Sequence, residues 1–201
     1  SVAYTHDDIA GGNLSIVGYF QDFSAIFGGA RFCSFQDPSI APVGTLFDQS
    51  RIDSRKYGLR LTYGAEDIFG SGIGVVTGVD WLQNETYQEL IHTGRNRVPV
   101  ITFNNIAPFA QLEKTFIDKL TLSAGVRWEY AQLDVDDYET SAGNTRRRDP
   151  LDPLYYARLD VKGGSPSFEE PILNAGVIYD LTDEINVFGS YSEGFTMADV
   201  G

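Results

Sequence analysis

Between Leu120 and Tyr130 the chain alternates without a break. Leu120, Leu122, Ala124, Val126, Trp128 and Tyr130 take the even positions, and Thr121, Ser123, Gly125, Arg127 and Glu129 the odd ones. A two-residue period places the two sets on opposite faces of a strand, whereas a helix repeats every 3.6 residues and would mix them. The pattern recurs in Tyr57, Leu59, Leu61, Tyr63, in Ile73, Val75, Val79, Trp81, in Leu173, Ala175, Val177, Tyr179, Leu181 and in Ile185, Val187, Gly189, Tyr191. Weaker versions occupy residues 13–21 and 102–114, and a partial run covers residues 2–6. The sequence therefore predicts an all-β, antiparallel chain of about eight strands and no helix.

Composition limits what such strands can build. Hydrophobic residues are 42%, aromatics 13% and charged residues 21%, enough apolar surface for an ordered fold. Fifteen Lys+Arg against 28 Asp+Glu give a net charge of -13, which argues against a nucleic-acid partner. One cysteine, Cys33, permits no internal disulfide, and two distant histidines, His6 and His92, supply no zinc cluster. No window approaches ~18 uninterrupted apolar residues, which excludes a membrane helix but leaves a membrane barrel open, since barrel strands are only half apolar. The first residues, Ser1-Val2-Ala3-Tyr4, lack the basic-then-apolar layout of a secretory signal.

The connections alternate in length. Residues 11–12, 65–71, 116–119 and 181–184 are short, whereas 22–53, 84–101 and 136–170 are long. Consecutive hairpins visit the two rims of a membrane barrel in turn, with short turns at one rim and long loops at the other. Trp81, Trp128, Tyr130, Tyr63 and Tyr191 stand toward strand ends, where an interfacial girdle would place them. Alternation alone does not distinguish lipid from a second sheet as the apolar partner; loop asymmetry and strand length favour the barrel.

Two stretches resemble a known family. Ala107-Pro108-Phe109-Ala110-Gln111-Leu112-Glu113, with the run from Asp118 to Tyr130, is similar to a hairpin of TonB-dependent outer-membrane receptors. Asn186 to Phe195 is similar to a strand of that family with a tyrosine-serine, any residue, glycine-phenylalanine core, and Leu14 to Gln21 resembles another. The resemblance implies a barrel of about 22 strands filled by a plug, importing a ligand with energy from an inner-membrane complex. It places the chain in the cell outer membrane, in contact with its lipid. The 201 residues are then expected to be a partial barrel, with the plug, the N-terminal energy-coupling segment and the C-terminal strands absent. After Phe195 the family often has Ala-Pro, where this chain reads Thr196-Met197.

Candidate ligand contacts are cationic and aromatic. Arg146, Arg147 and Arg148 sit together in the longest connection of an acidic chain, and guanidiniums offer a rigid fork of donors to the oxyanions of an iron chelate. Arg95 and Arg97 extend the same idea in another loop, and Tyr155 and Tyr156 offer stacking surfaces. The bland alternative is a solvated loop tip or a contact to lipopolysaccharide phosphates for the arginines, and anchoring of the loop in its neighbours for the tyrosines. Arg127 and Glu129 share the polar face and are expected to point into the lumen, pairing with charges on neighbouring strands. Asp134, Asp136, Asp137 and Glu139 form an acidic cluster without the spacing of a calcium loop.

Catalytic patterns are weak. Glu169-Glu170 would point to opposite faces of a strand, no Gly-x-Ser-x-Gly surrounds a serine, and Gly70-Ser71-Gly72-Ile73-Gly74 opens a strand instead of a helix, so it reads as a turn. Cys33 reads as a small apolar residue. The expectation is a non-enzymatic part of a receptor for a ferric siderophore or similar scarce nutrient, with the chelate as cargo and no cofactor or resident metal. Two rivals are a stand-alone eight-stranded barrel with a structural or adhesive role, and a soluble all-β binding module. A soluble module would show a polar outer surface where a barrel needs an apolar belt.

Overall fold

A computed structural model describes residues 1–28, 40–42, 45–46, 48–139 and 160–194. Among them one antiparallel sheet dominates. It is built from β1 (Val2–Ile9), β2 (Gly12–Phe27), β3 (Ser50–Ala65), β4 (Ile73–Leu90), β5 (Arg95–Phe116), β6 (Leu120–Val135), β9 (Ser167–Thr182) and β10 (Ile185–Ser192). The strands pair in chain order, with β7 (Tyr138–Glu139) and β8 (Asp160–Val161) forming a separate two-stranded ribbon between β6 and β9. β1 and β10 are the edges of the large sheet, so the closed eight-stranded barrel held as a rival is not formed by the described residues.

The two faces of the sheet are chemically opposite, and the exposed one is apolar. On β6, Leu122, Val126, Trp128 and Tyr130 are each at least two-fifths exposed, while Arg127 is half-buried and Glu129 buried. Register carries this division across the sheet. Leu59 pairs with Trp81, Trp81 with Ile106 and Ile106 with Tyr130, so one apolar row crosses four strands. The opposite face carries Arg60 beside Asp80, Ser15 beside Thr62, and Gln111 beside Gly125. Buried apolar side chains among the described residues are few: Leu90, Ala107, Ala131 and Leu133. A soluble sheet buries its apolar face; this one displays it among the described residues, which favours the barrel over the soluble module.

Strand lengths differ from the sequence expectation. A tilted strand crosses a bilayer in ~9–11 residues, yet β4 has 18 and β5 has 22. The expected loop at 84–101 is not a loop: β4 and β5 continue through it, joined by residues 91–94, where Gly94 takes a φ of 64°. Two register breaks explain why alternation hides this. Thr86 pairs with Ile101 but Gln88 with Val98, and Glu89 then pairs with Asn96, so Pro99 and Arg97 both fall in irregularities of β5. A bulge turns the side-chain parity over, and it accommodates a proline that cannot donate to the ladder. Strands likewise reach into the expected loops at 22–53 and 136–170: β2 runs to Phe27, β3 begins at Ser50, β9 begins at Ser167, and β7 and β8 lie in the second of them. Glu169 and Glu170 lie within β9.

Candidate functional site

The enclosed face carries its charges in one network at mid-height. Asp80 on β4 accepts from Arg60 on β3, Nε to Oδ1 at 2.6 Å and Nη2 to Oδ2 at 2.9 Å. It also accepts from Arg127 on β6, Nη1 to Oδ2 at 2.7 Å. Arg127 Nε donates to Glu129, whose other oxygen accepts from Asn105 Nδ2 at 2.8 Å. Two guanidiniums and two carboxylates thus neutralise each other across four strands. Between Arg127 and Asp80 runs β5, and the network passes over its Ala107, which is fully buried and pairs with Asp80. A larger side chain there would block the reach of Arg127.

Aromatic packing over glycine completes the support. A Cβ at Gly78 would lie 2.2 Å from the Leu61 carbonyl oxygen on β3 and 2.8 Å from Phe109 Cζ, so only glycine fits between that backbone and the Phe109 ring. The Arg127 guanidinium then stands 5.9 Å from that ring's centroid, within cation–π range. Hollows of ≈ 380 and ≈ 370 Å³ flank the network; Arg60, Asp80 and Arg127 line both, with Gln111 and Asn174 on one side and Tyr19 and Asn105 on the other. A third hollow of ≈ 670 Å³ lies toward the short-turn rim, lined by Ser15, Thr62, Gln111 and Glu113 among others. The face offers a polar, hydrogen-bonding wall of balanced charge.

A second polar centre ties together the opposite rim. The fully buried Asp48 accepts from the Gln49 amide at 2.9 Å, the His92 amide at 2.8 Å and Thr93 Oγ1 at 2.6 Å. Arg95 Nε donates to the same Thr93 hydroxyl at 3.0 Å. The carboxylate therefore pins the chain entering β3 onto the β4–β5 turn. Below it, Gln88 donates to Ser50 at 2.9 Å, and Ser54, Asn84 and Thr86 bond one another.

The predicted residues are placed as follows. Arg127 and Glu129 share the enclosed face: Arg127 donates to Glu129 and to Asp80 on a strand two removed, and Glu129 accepts from Asn105 on the adjacent strand. Arg95 and Arg97 stand on β5 and not in a loop; Arg95 pairs with Leu90 beside the Asp48 centre, and Arg97 occupies a register break. Cys33, Arg146, Arg147, Arg148, Tyr155 and Tyr156 lie outside the described residues. The acidic cluster is dispersed: Gln132 donates to Asp134 at 3.1 Å, while Asp137 accepts from Lys162 Nζ at 2.6 Å and the Gly163 amide at 2.7 Å. That clasp keeps the Asp137 carboxyl below its usual range, chiefly through the Lys162 hydrogen bond, and raises the Lys162 ammonium in return. No grouping of three His, Cys, Asp or Glu able to hold a metal occurs among the described residues. Sequence reasoning missed Asp80, Arg60 and Asp48. Parity put the first two on the polar face, but only register shows that they meet Arg127; nothing in the sequence marked Asp48.

Comparison with known proteins agrees with this architecture. The family described as "TonB dependent receptor-like, beta-barrel" matches residues 1–201. The chain is 23% identical over 214 residues to the rhizobactin receptor of Rhizobium meliloti (strain 1021), covering 99% of this chain and 28% of that protein. It is 23% identical over 218 residues to the ferric aerobactin receptor of Klebsiella pneumoniae, covering 100% and 28%. Among solved structures, the copper transporter OprC superposes with a TM-score of 0.69 at 16% identity, over 94% of this chain and 29% of OprC. The ferric-catecholate import receptor Fiu from E. coli K12 gives 0.66 at 17%, over 94% and 34%. The chain spans about three-tenths of the length of the two receptors and of OprC and 34% of Fiu. With an exposed apolar face, an enclosed polar one and a family match along its whole length, the chain belongs to the β-barrel family of TonB-dependent receptors.

Proposed function

We propose that this chain forms part of the barrel wall of an outer-membrane receptor that binds a ferric siderophore or a similar scarce nutrient and imports it. The observation that carries the reading is the end-to-end match to two proteins named as siderophore receptors. The physics of the sheet supports it. The exposed apolar rows meet outer-membrane lipid, and the face with Arg60, Asp80, Arg127 and Glu129 lines the lumen. Strands of 18 and 22 residues outreach the bilayer and carry Arg95 and Arg97 above it, where they contribute to ligand contact along with Arg146, Arg147, Arg148, Tyr155 and Tyr156. Energy reaches the receptor from an inner-membrane complex through parts of the polypeptide other than these strands. The ferric chelate is cargo, and no resident cofactor is required.

The test uses the native polypeptide in outer-membrane vesicles, probed with iron-labelled ferric aerobactin, ferric rhizobactin and a ferric catecholate. Saturable binding of at least one probe, competed by its unlabelled form, is the expected result. A detergent-extracted, folded polypeptide that binds none of the three saturably would overturn the siderophore assignment.

A further inference from the structure

We infer that the short-turn rim is a lipid-anchoring edge, in which Phe69 and Ile117 enter the headgroup–acyl boundary of a zwitterionic leaflet. The inference rests on the membrane reading above and concerns a part of the wall remote from ligand. Phe69 and Ile117 are the tips of neighbouring turns, β3–β4 and β5–β6, and they are 101% and 92% exposed. Both occupy the left-handed region, with φ of 57° and 55°. Turns that need this backbone ordinarily use Gly, Asn or Asp, and a β-branched residue there is a true outlier. Glycine supplies the same conformation at Gly70 and Gly72 of one of these turns, so the apolar side chain at its tip is not there for want of a better turn residue. In water an exposed apolar group on disfavoured backbone has two costs and no return; a lipid boundary removes the first.

The surroundings fix which partner. The apolar outer face runs down to these turns through the row of Phe116, Leu120 and Tyr179, so the tips continue the lipid belt instead of forming a separate patch. Lys114 stands 5.5 Å from the Phe116 ring and donates to Ser71 O at 3.0 Å, joining the two turns and holding an ammonium at headgroup level above an aromatic. Asp67 is folded back onto the Gly72 amide at 2.7 Å, leaving Phe69 as the projecting group of its turn. Around the tips Glu66, Asp67 and Asp118 stand against Lys114 and Lys119, a near-balanced set with no excess of positive charge to draw anionic headgroups, which fits a zwitterionic layer.

Nitroxide labels report this directly. They are placed on cysteines at positions 69 and 117, at Val126 in the belt and at Thr93 on the opposite rim, one at a time, in the native polypeptide with its other cysteines replaced. The protein is reconstituted in phosphatidylethanolamine–phosphatidylcholine vesicles. The expected result is a several-fold preference for collisions with oxygen over a water-soluble nickel chelate at 126, a smaller preference of the same sign at 69 and 117, and nickel dominance at 93. Nickel dominance at 69 and 117 with 126 still in lipid overturns the anchor alone and leaves a water-facing rim suited to a protein partner. Nickel dominance at 126 as well overturns the membrane reading and the anchor together.

Discussion

From β3 to β6, the part of the sheet between the short turns and the Leu59–Trp81–Ile106–Tyr130 row keeps its register, whereas the part beyond it does not. On β4 the outward positions below that row are Ile73, Val75, Thr77 and Val79; above it they are Gln83, Glu85, Tyr87 and Glu89. Outward Arg51 pairs there with Glu89 and with Asp53, 2.9 Å away. On the membrane reading proposed above, the same strands serve two solvents. In lipid an unpaired backbone group or an outward charge is costly; in this half the register irregularities, at His6/Ile9 and Ile185/Asn186, and the outward Lys114 all lie beside the short turns. Above the bilayer water meets both faces, and the β4–β5 hairpin carries two register irregularities and outward charges without penalty.

The sharpest way to break this comparison is to place one charge at both heights. Val126→Arg, in the belt, is expected to cost about 2–4 kcal/mol, whereas Thr102→Arg, outward on β5 between Glu85 and Asp134, should stay within about 0.5 kcal/mol. Denaturant unfolding in lipid vesicles measures both; equal costs would erase the distinction.

Within the lower half, the lumen network separates shielded from exposed partners. Asp80 has 16% of its side chain exposed and holds both arginines, while Arg60 is 63% exposed. Asp80→Ala should therefore cost about 2 kcal/mol by stranding Arg127 over Ala107, and Arg60→Ala under about 1 kcal/mol. A cost for Arg60→Ala as large as for Asp80→Ala would show that the network is not centred on Asp80.

In the upper half the corresponding centre is Asp48, and its loss should be local. Asp48→Ala removes three accepted hydrogen bonds and is expected to speed amide exchange at His92 and Thr93 by roughly tenfold, equivalent to about 1.4 kcal/mol of local opening. Belt amides such as those of Leu122 and Val126 should keep their protection.

The smallest effect is at the base of the longest connection. Asp137, with its carboxyl lowered, contributes above the ordinary carboxylate range and loses that contribution as pH falls through its depressed value. Lys162, raised, contributes below the ordinary lysine value and loses it as pH climbs through the raised one. The clasp is thus complete between those limits. Exchange at the Gly163 amide should quicken at the acid edge in the wild type, beyond the intrinsic pH effect, and show no such edge in Asp137→Asn.

How much of this was legible follows from the same division. Where two different environments constrain a strand, its period survives in the sequence, and all eight strands of the large sheet were marked by alternating cores. Their upper extensions were not, because Pro99 and Arg97 in register breaks invert parity and water on both faces leaves no pattern. Arg127 and Glu129 were readable as polar-face charges. The meeting of Arg127 with Asp80 was not, since it depends on register across β5 and on Ala107 being small enough to reach over. Asp48 precedes β3 without any flanking motif, and its partners at residues 92 and 93 are distant in sequence, so only the fold reveals it.

The most direct test of the central claim, that the apolar face meets lipid and the polar face lines a lumen, is a cysteine scan along β6 from Leu120 to Tyr130 in the native polypeptide within its membrane. Labelling by a water-soluble maleimide should alternate, with positions 122, 124, 126 and 128 protected and the odd positions 123, 125 and 127 reached through the lumen once detergent or an opened channel admits the reagent. Uniform labelling of the even positions from water, in intact membranes, would contradict the account.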